Sequence, residues 1–179
     1  MIYSLDQGHA CNLLRIHMSN HAGTHIDFPA HFIPGGKTSD AFELSHLMGR
    51  CLVIAIDADA PLVLPSHLLD HAIQANDIIF FKTANAALTE YTETYTAISL
   101  PAAQYLRDKK VKIVGIDYLS VDRHGDQGFP VHHELLAHDI LIVENLDLKN
   151  VPTGCYDAKI YPLKMQGVDG APVRVSLER

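Results

Sequence analysis

The sequence has no tryptophan and only three cysteines among its 179 residues. Three cysteines cannot all pair, and these lie far apart in the chain, which excludes a disulfide framework and indicates a reducing compartment. The first residues, Met1-Ile-Tyr-Ser-Leu-Asp, have neither the basic start nor the apolar stretch of a secretory signal. We therefore expect a cytoplasmic protein.

Basic residues are also scarce, since 14 lysines and arginines stand against 21 aspartates and glutamates, for a net charge of −7. The chain shows no basic stripe, so nucleic acid is not an expected partner. The longest apolar runs, such as residues 51–56, fall far short of the ~20 residues that cross a bilayer. The sequence therefore predicts no membrane partner either.

Strand-like and helix-like segments alternate along the whole chain, without a linker that would divide it. Strands are predicted at residues 14–18, 51–56, 77–81, 111–116, 140–143, 158–165 and 172–177, and helices at residues 65–75, 99–110 and 131–138. This mixture indicates an α/β fold with a mixed sheet, and the length suits one domain over residues 1–179. The pattern does not determine the order of the strands.

Histidine is unusually frequent, with 12 copies against 14 lysines and arginines together. The densest group of ligand-type side chains is the run His21-Ala-Gly-Thr-His25-Ile-Asp27-Phe-Pro-Ala-His31-Phe. Its glycine, proline and branched residues disfavour a helix. In an extended chain His21, His25 and Asp27 share a face, with His31 close behind. Two imidazoles and a carboxylate on one face predict half of a divalent metal site, and a solvated strand edge is the alternative for any single histidine.

Further ligands must come from elsewhere in the chain. His132 begins a predicted helix, and Glu144 lies on the apolar face of a predicted strand. A carboxylate in that position is costly unless it is paired, hydrogen-bonded or bound to a cation. Glu144 is therefore a candidate ligand, with a structural ion pair as the alternative. His132 and its neighbour His133 are equal candidates on local pattern alone.

The first block, His21-x-Gly-Thr-His25-x-Asp27-x-Pro-x-His31-Phe, resembles the signature of the cyclase family of metal-dependent hydrolases. That family includes bacterial kynurenine formamidase, or arylformamidase, and isatin hydrolase. Four later blocks of the family follow in order: Gly115-Ile-Asp117-Tyr-Leu-Ser120-Val, His132-x-x-Leu-Leu, Val143-Glu144-Asn-Leu-Asp147-Leu and Pro162-Leu-Lys-x-x-Gly-x-Asp169-Gly-x-Pro172. The resemblance thus extends over nearly the whole chain.

The resemblance implies a ligand set for one or two divalent ions per subunit, zinc first and manganese as the alternative. It also implies that Asp27 bridges the two ions and that the later histidine ligand is His132 rather than His133. The implied ligands are His21, His25, Asp27, His132 and Glu144. The resemblance also implies a swivelling β/β/α domain. It further implies that this chain forms a homodimer or a larger homo-oligomer.

The resemblance implies that His31 is the catalytic acid/base. A divalent ion lowers the pKa of bound water from 15.7 towards ~7 and polarises a carbonyl. We expect the resulting hydroxide to attack the amide or formamide carbonyl of a small molecule, as in the arylformamidase step of tryptophan catabolism. His31 would pass a proton to the leaving amine.

Three other hypotheses remain open. The protein could open a cyclic amide such as isatin, form a carbon–carbon or lactone ring, or be a metal-binding module without catalysis. The presence of His31 beside five ligand positions favours an enzyme, because a binding module needs no proton shuttle. Formamidases of the family line their pocket with an aromatic residue, often tryptophan, and here Phe28, Phe32 and Phe129 are the candidates for that wall.

Overall fold

The computed structural model describes residues 2–179. Its strands are β1 (His25–Asp27), β2 (Met48–Ala55), β3 (Leu62–Val63), β4 (Ile78–Lys82), β5 (Ala97–Ile98), β6 (Ile113–Ile116), β7 (Leu141–Glu144), β8 (Gly154–Pro162) and β9 (Gly170–Glu178). Its α-helices are α1 (Leu100–Asp108) and α2 (Pro130–Leu136). Short 3-10 helices lie at Leu5–Gln7, Pro29–His31, Ser39–Ala41, Leu44–Leu47, Pro65–Leu68 and Ala84–Ala87.

Seven of these strands close into a mixed barrel in the order β1-β7-β6-β4-β2-β8-β9, and β9 pairs back onto β1. Strands β2, β4, β6 and β7 are mutually parallel, whereas β1, β8 and β9 make antiparallel pairs. The remaining strands, β3 and β5, form a separate two-stranded parallel sheet. The predicted α/β fold with a mixed sheet is confirmed.

The parallel strands read as continuous apolar runs because both of their faces are buried. Alternate residues fill two cores. Ile79, Val114 and Ile142 point to the side that α1 and α2 cover, and Phe80 and Val143 contribute to the barrel interior. The helices therefore pack on one side of the barrel only.

Helix α1 begins as the sequence indicates, because the Ser99 hydroxyl accepts a hydrogen bond from the amide of Ala102 at 3.2 Å. Proline in the first turn is compatible with that start, and Arg107 lies in the last turn, where the helix dipole favours a cation. The helix predicted over residues 99–110 is thus confirmed with slightly narrower bounds.

The strand predicted at residues 14–18 is wrong. Its apolar side chains Leu14, Ile16 and Met18 are 64%, 78% and 55% exposed, and this segment is not paired with any strand of the described chain. A closed barrel has no edge to which another strand could add. Alternation alone therefore does not make a strand here.

The helix predicted at residues 65–75 is also wrong, because only the 3-10 turn Pro65–Leu68 forms. The predicted apolar face is divided. Leu68 and Ile73 are buried, but Leu69 is 66% exposed. A helix is held mainly by packing of one continuous apolar stripe, which this segment does not present. Within residues 2–179, no helix has the length and apolarity required to cross a membrane.

Candidate metal centre

The register of β1 decides which side chains meet. His25 lies opposite Glu144 of β7 and opposite Pro172 of β9, and Asp27 lies opposite Gly170. The first histidine block is thus placed between the ends of two strands that come from the second half of the chain. Three distant sequence blocks converge on this one point of the barrel wall.

The sequence predicts an extended chain that includes His21. In the structure, His21 instead lies in a turn that precedes β1. Gly23 takes a left-handed backbone conformation in that turn, with φ of 65°. The turn folds the imidazole back so that its Nδ1 lies 2.7 Å from Oδ1 of Asp27. His21, His25 and Asp27 are therefore brought together, but by a turn and not by the alternation of an extended chain.

The innermost group of the site consists of Asp27, His132 and Glu144, none more than 4% exposed. Nε2 of His132 lies 3.3 Å from Oε1 of Glu144 and 3.7 Å from Oδ2 of Asp27. On the other side, Nε2 of His25 lies 3.4 Å from Oδ1 of Asp27 and 3.5 Å from Oε2 of Glu144. Two imidazole nitrogens and two carboxylates thus face one another at 3.3 to 3.7 Å.

The Oδ2 atom of Asp27 is buried and has no hydrogen-bond partner. A buried carboxylate oxygen without a partner costs free energy that a neighbouring cation would offset. Imidazole and carboxylate are ligands that Zn and Mn accept. On this test, the donor set around Asp27 fits a divalent metal.

The tautomers of the two buried histidines also suit metal ligation. Nδ1 of His25 donates to the carbonyl oxygen of Gly23 at 2.8 Å, and Nδ1 of His132 donates to Oδ2 of Asp122 at 2.6 Å. Both acceptors hold a proton on Nδ1, so Nε2 is the atom of each ring that can give up its proton and offer a lone pair to an ion. Hydrogen bonds of this kind fix the ring orientation of metal-binding histidines.

Burial and charge act in opposite directions on the ionisable groups here. Burial lowers the pKa of His132, but its hydrogen bonds with Asp122 and Glu144 outweigh that effect and raise the pKa to about 10. For His25, burial is likewise outweighed by the carboxylates of Glu144 and Asp27, so its pKa is raised. Burial raises the pKa of Glu144, but hydrogen bonds from His132 and His25 reverse the shift and lower it. In the absence of an ion, protons therefore neutralise this cluster.

A second, more open group lies beside the first and consists of His21, His31 and Asp169. Oδ2 of Asp169 is 3.2 Å from Nε2 of His21 and 3.0 Å from Nδ1 of His31. The side chains of His21, His31 and Asp169 are 19%, 29% and 41% exposed, so this group faces the entrance of the site. The sequence alone does not reveal a role for Asp169, although this residue lies in the last of the five family blocks.

The remaining aromatic candidates divide between site and core. The ring of Phe32 lies 4.4 Å from that of His132 and 5.2 Å from that of Phe129, which is half exposed. Phe28, in contrast, is buried in the barrel interior against Phe42, so the expectation that it lines the site is wrong. The apolar wall beside the candidate centre is made by Phe32 and Phe129.

Of the two neighbouring histidines at the start of α2, the structure places His132 in the cluster. His133 is exposed, and its ring meets that of Phe32 edge-on, at 5.5 Å between ring centroids. The local sequence pattern does not distinguish His132 from His133. In the structure they differ because Asp122 accepts hydrogen bonds from the amides of Val131 and His132 at the start of α2.

Residues 2–123 match the sequence model of the Cyclase family, described as "Putative cyclase". The chain belongs to this family of hydrolases. It is 34% identical to the kynurenine formamidase of Polaromonas naphthalenivorans over 98% of this chain and 78% of the relative. It is 36% identical to the kynurenine formamidase of Salinibacter ruber over 93% of this chain and 79% of that one. The family resemblance of the sequence motifs is therefore confirmed.

Solved structures agree with the cyclase-family assignment. A potential metal-dependent hydrolase with cyclase activity superposes with a TM-score of 0.86 and 37% identity, over 91% of this chain and 81% of that chain. Isatin hydrolase A from Labrenzia aggregata superposes with a TM-score of 0.80 at 22% identity, over 93% of this chain and 76% of that chain, which is a likeness of fold. The cyclase-family fold and its hydrolase character are thus both supported outside the sequence itself.

Proposed function

We propose that this cyclase-family protein is a metal-dependent hydrolase of aryl formamides, with N-formylkynurenine as the first candidate substrate. The observation that carries the proposal is the buried Asp27 carboxylate, whose Oδ2 has no hydrogen-bond partner while two imidazole Nε2 atoms face the same cluster. The formamidases among its relatives support the substrate class. Opening of a cyclic amide such as isatin is the second candidate, supported by likeness of fold alone.

The residues proposed to hold the metal are His21, His25, Asp27, His132 and Glu144. They form two ligand groups that share Asp27, which supports two ions as well as one. Zinc is the first candidate and manganese the second, because nitrogen and oxygen ligands of this kind suit both. When bound, such an ion lowers the pKa of a water molecule and polarises the substrate carbonyl.

His31 is proposed as the general acid/base. It lies at the entrance of the site, with its ring centroid 6.3 Å from that of His132, and it remains outside the buried ligand group. An imidazole can both accept and donate a proton, which suits delivery of a proton to the leaving amine nitrogen. Phe32 and Phe129 would cover the aryl part of the substrate and exclude water from it.

The proposed assembly is a homodimer or larger homo-oligomer in the cytoplasm. The exposed apolar side chains of residues 14–18 support self-association, because a second copy would remove them from water. The three cysteines are all free, which supports a reducing compartment. Light scattering after size exclusion tests the first point, and a single monomeric peak at micromolar concentration would contradict it.

The function is tested by metal analysis of the purified protein together with hydrolysis of N-formylkynurenine, formanilide and isatin. We expect His31→Ala to keep its metal and lose about 10²- to 10⁴-fold in kcat. His21→Ala should lose metal and activity together, and His71→Ala, an exposed histidine far along the chain, should change neither. A protein with neither metal nor turnover, or a His31→Ala variant with wild-type kcat, would contradict the proposal.

A further inference from the structure

The backbone of Asp169 is fixed at the site by the sheet. Asp169 directly precedes β9, and its carbonyl oxygen accepts a hydrogen bond from the amide of Phe28 at 2.8 Å. One position further on, Gly170 pairs with Asp27. The β1–β9 pairing thus extends by one residue and places a carboxylate beside His31, which is 138 positions away in the chain.

The side chain of Asp169 is held by both of its oxygens. Oδ1 accepts a hydrogen bond from Nδ2 of Asn20 at 2.7 Å, and Asn20 also donates to the carbonyl oxygen of Gly170 at 3.2 Å. Oδ2 lies 3.0 Å from Nδ1 of His31 and 3.2 Å from Nε2 of His21. A carboxylate anchored through Oδ1 cannot rotate without losing the contact that Oδ2 makes to His31.

The ring of His31 is held on two further sides. It stacks on the ring of His21, with 3.9 Å between centroids and an interplanar angle of 24°. The ring of Phe32 meets it edge-on at 4.6 Å and 82°. Since an ionised carboxylate only accepts hydrogen bonds, the contact to Asp169 requires the His31 proton on Nδ1. Nε2 is then the ring atom left to take up and release a proton.

We propose that Asp169 is the positioning residue for His31, which it holds in the Nδ1-protonated tautomer with Nε2 available to the leaving group. Asn20 supports this role by anchoring the other carboxylate oxygen. The same logic governs the aspartate of a serine protease triad, which orients its histidine and fixes the tautomer without changing its own protonation state. The inference rests on the proposed acid/base role of His31.

A competing role for Asp169 is that of a metal ligand. Donor atoms of His21, His31 and Asp169 all lie within 4.8 Å of one another, as metal ligands do. The two roles make opposite predictions for metal content. A ligand carboxylate that is removed takes metal with it, whereas a positioning carboxylate leaves the metal bound.

The test uses the metal-loaded protein and compares Asp169→Asn, Asp169→Glu, Asn20→Ala and His31→Ala. Asp157→Asn is the matched control, since Asp157 is exposed on β8, away from the site. An asparagine amide can donate to Nδ1 and so favour the wrong tautomer of His31. We expect Asp169→Asn to keep its full metal content and its KM while kcat falls about 10- to 1000-fold. This loss is smaller than the roughly 10⁴-fold found for a buried triad aspartate, because Asp169 is 41% exposed.

Asp169→Glu keeps the carboxylate and should recover part of the lost kcat, and Asn20→Ala should show a smaller loss than Asp169→Asn. The double variant His31→Ala/Asp169→Asn should be no slower than His31→Ala alone, because the two residues act as one unit. Metal loss in Asp169→Asn that parallels the activity loss would overturn the proposal in favour of a ligand role, and additive losses in the double variant would also overturn it.

Failure of this inference and failure of the proposed function are distinguishable. A large loss of kcat in His31→Ala, combined with wild-type kcat in Asp169→Asn, would overturn the positioning role and leave the proposed function standing. Wild-type kcat in His31→Ala would overturn both. Thermal unfolding of each variant shows whether a loss of activity reflects a loss of fold.

Discussion

Nδ1 of His132 lies 2.6 Å from Oδ2 of Asp122, a carboxylate with no exposed surface. The same carboxylate accepts hydrogen bonds from the amides of Val131 at 2.8 Å and His132 at 3.0 Å. Phe129, the N-cap position of α2, provides no side-chain hydrogen bond of its own. Asp122 therefore supplies the cap of α2 from outside the helix and orients the imidazole that the helix carries.

We expect Asp122→Ala to weaken metal binding about 10- to 100-fold, because the hydrogen bond that orients His132 is lost. Loss of the helix cap should also lower the free energy of unfolding by about 0.5–2 kcal/mol. The matched control is Ser99→Ala, which removes the cap of α1 away from the site and should lower stability without changing metal affinity. Competition with a chromophoric chelator measures the affinity. Equal metal affinity in both variants would contradict the role of Asp122.

Gly170 provides space for His21. A Cβ atom at position 170 would lie 2.3 Å from Cε1 of His21, so Gly170→Ala must displace the imidazole. We expect this variant to bind less metal and to lose activity in proportion. Gly115→Ala is the control, since its Cβ would lie 2.7 Å from the side chains of Phe80 and Leu146 in the barrel interior. It should lower the free energy of unfolding by about 1–3 kcal/mol while keeping the metal. Full metal content in Gly170→Ala would contradict the prediction.

The sequence predicted the parallel strands well because each is buried on both faces and therefore appears as an unbroken apolar run. It failed at residues 14–18, where the alternation of apolar and polar residues is clear but a closed barrel offers no edge. It failed again at residues 65–75, where helical spacing could not reveal that Leu69 points outward. The local sequence pattern thus shows which secondary structure a segment can form, and the elements that pack against the segment decide whether it forms.

The site shows the same division between local and distant information. The first histidine block is local, so His21, His25 and Asp27 are recognisable as a group from their closeness in the sequence, although a turn and not an extended strand brings His21 to the other two. Asp169 was not, because its position beside His31 depends on the pairing of β1 with β9, and a single sequence does not show that pairing. The choice of His132 over His133 likewise depended on family resemblance, since it is the hydrogen bonds of α2 to Asp122 that set the rotation of the helix.

Metal binding should release protons. The carboxylates around His132 outweigh its burial and raise its pKa to about 10, so this ring carries a proton on both nitrogens in the metal-free protein at pH 7, and the pKa of His25 is raised as well. A metal ligand must be neutral imidazole, so each protonated ring that binds the ion gives up its proton. Titration calorimetry at pH 7 in buffers of different ionisation enthalpy measures the number released, and we expect at least about one per ion. A binding enthalpy independent of the buffer would contradict this prediction.

The metal-free protein should lose stability as the pH rises. The pKa of His132 is higher in the folded protein than its ordinary value of 6.5, so its contribution is complete below about pH 6.5 and disappears as the pH approaches about 10. After chelator treatment, the free energy of unfolding from urea titrations should therefore fall between pH 7 and pH 9. With metal bound, this decrease should be absent, because the ion replaces the proton. A metal-free protein that gains stability over the same range would show that the cluster is not protonated.

Phe129 should determine preference for aryl substrates. Its backbone lies in the left-handed region, with φ of 47°, which is unusual for a bulky residue and common at binding sites. Its ring is 47% exposed and lies 5.2 Å from that of Phe32, so the pair presents an aromatic face beside His132. We expect Phe129→Ala to raise KM for formanilide about 3- to 10-fold, since an aromatic pair is worth about 0.5–1.5 kcal/mol beyond its buried area. KM for an aliphatic formamide should stay the same, and Tyr161→Ala, an exposed aromatic residue of β8, should change neither. Equal increases of KM for the aryl and the aliphatic substrate would show that Phe129 shapes the entrance without recognising the ring.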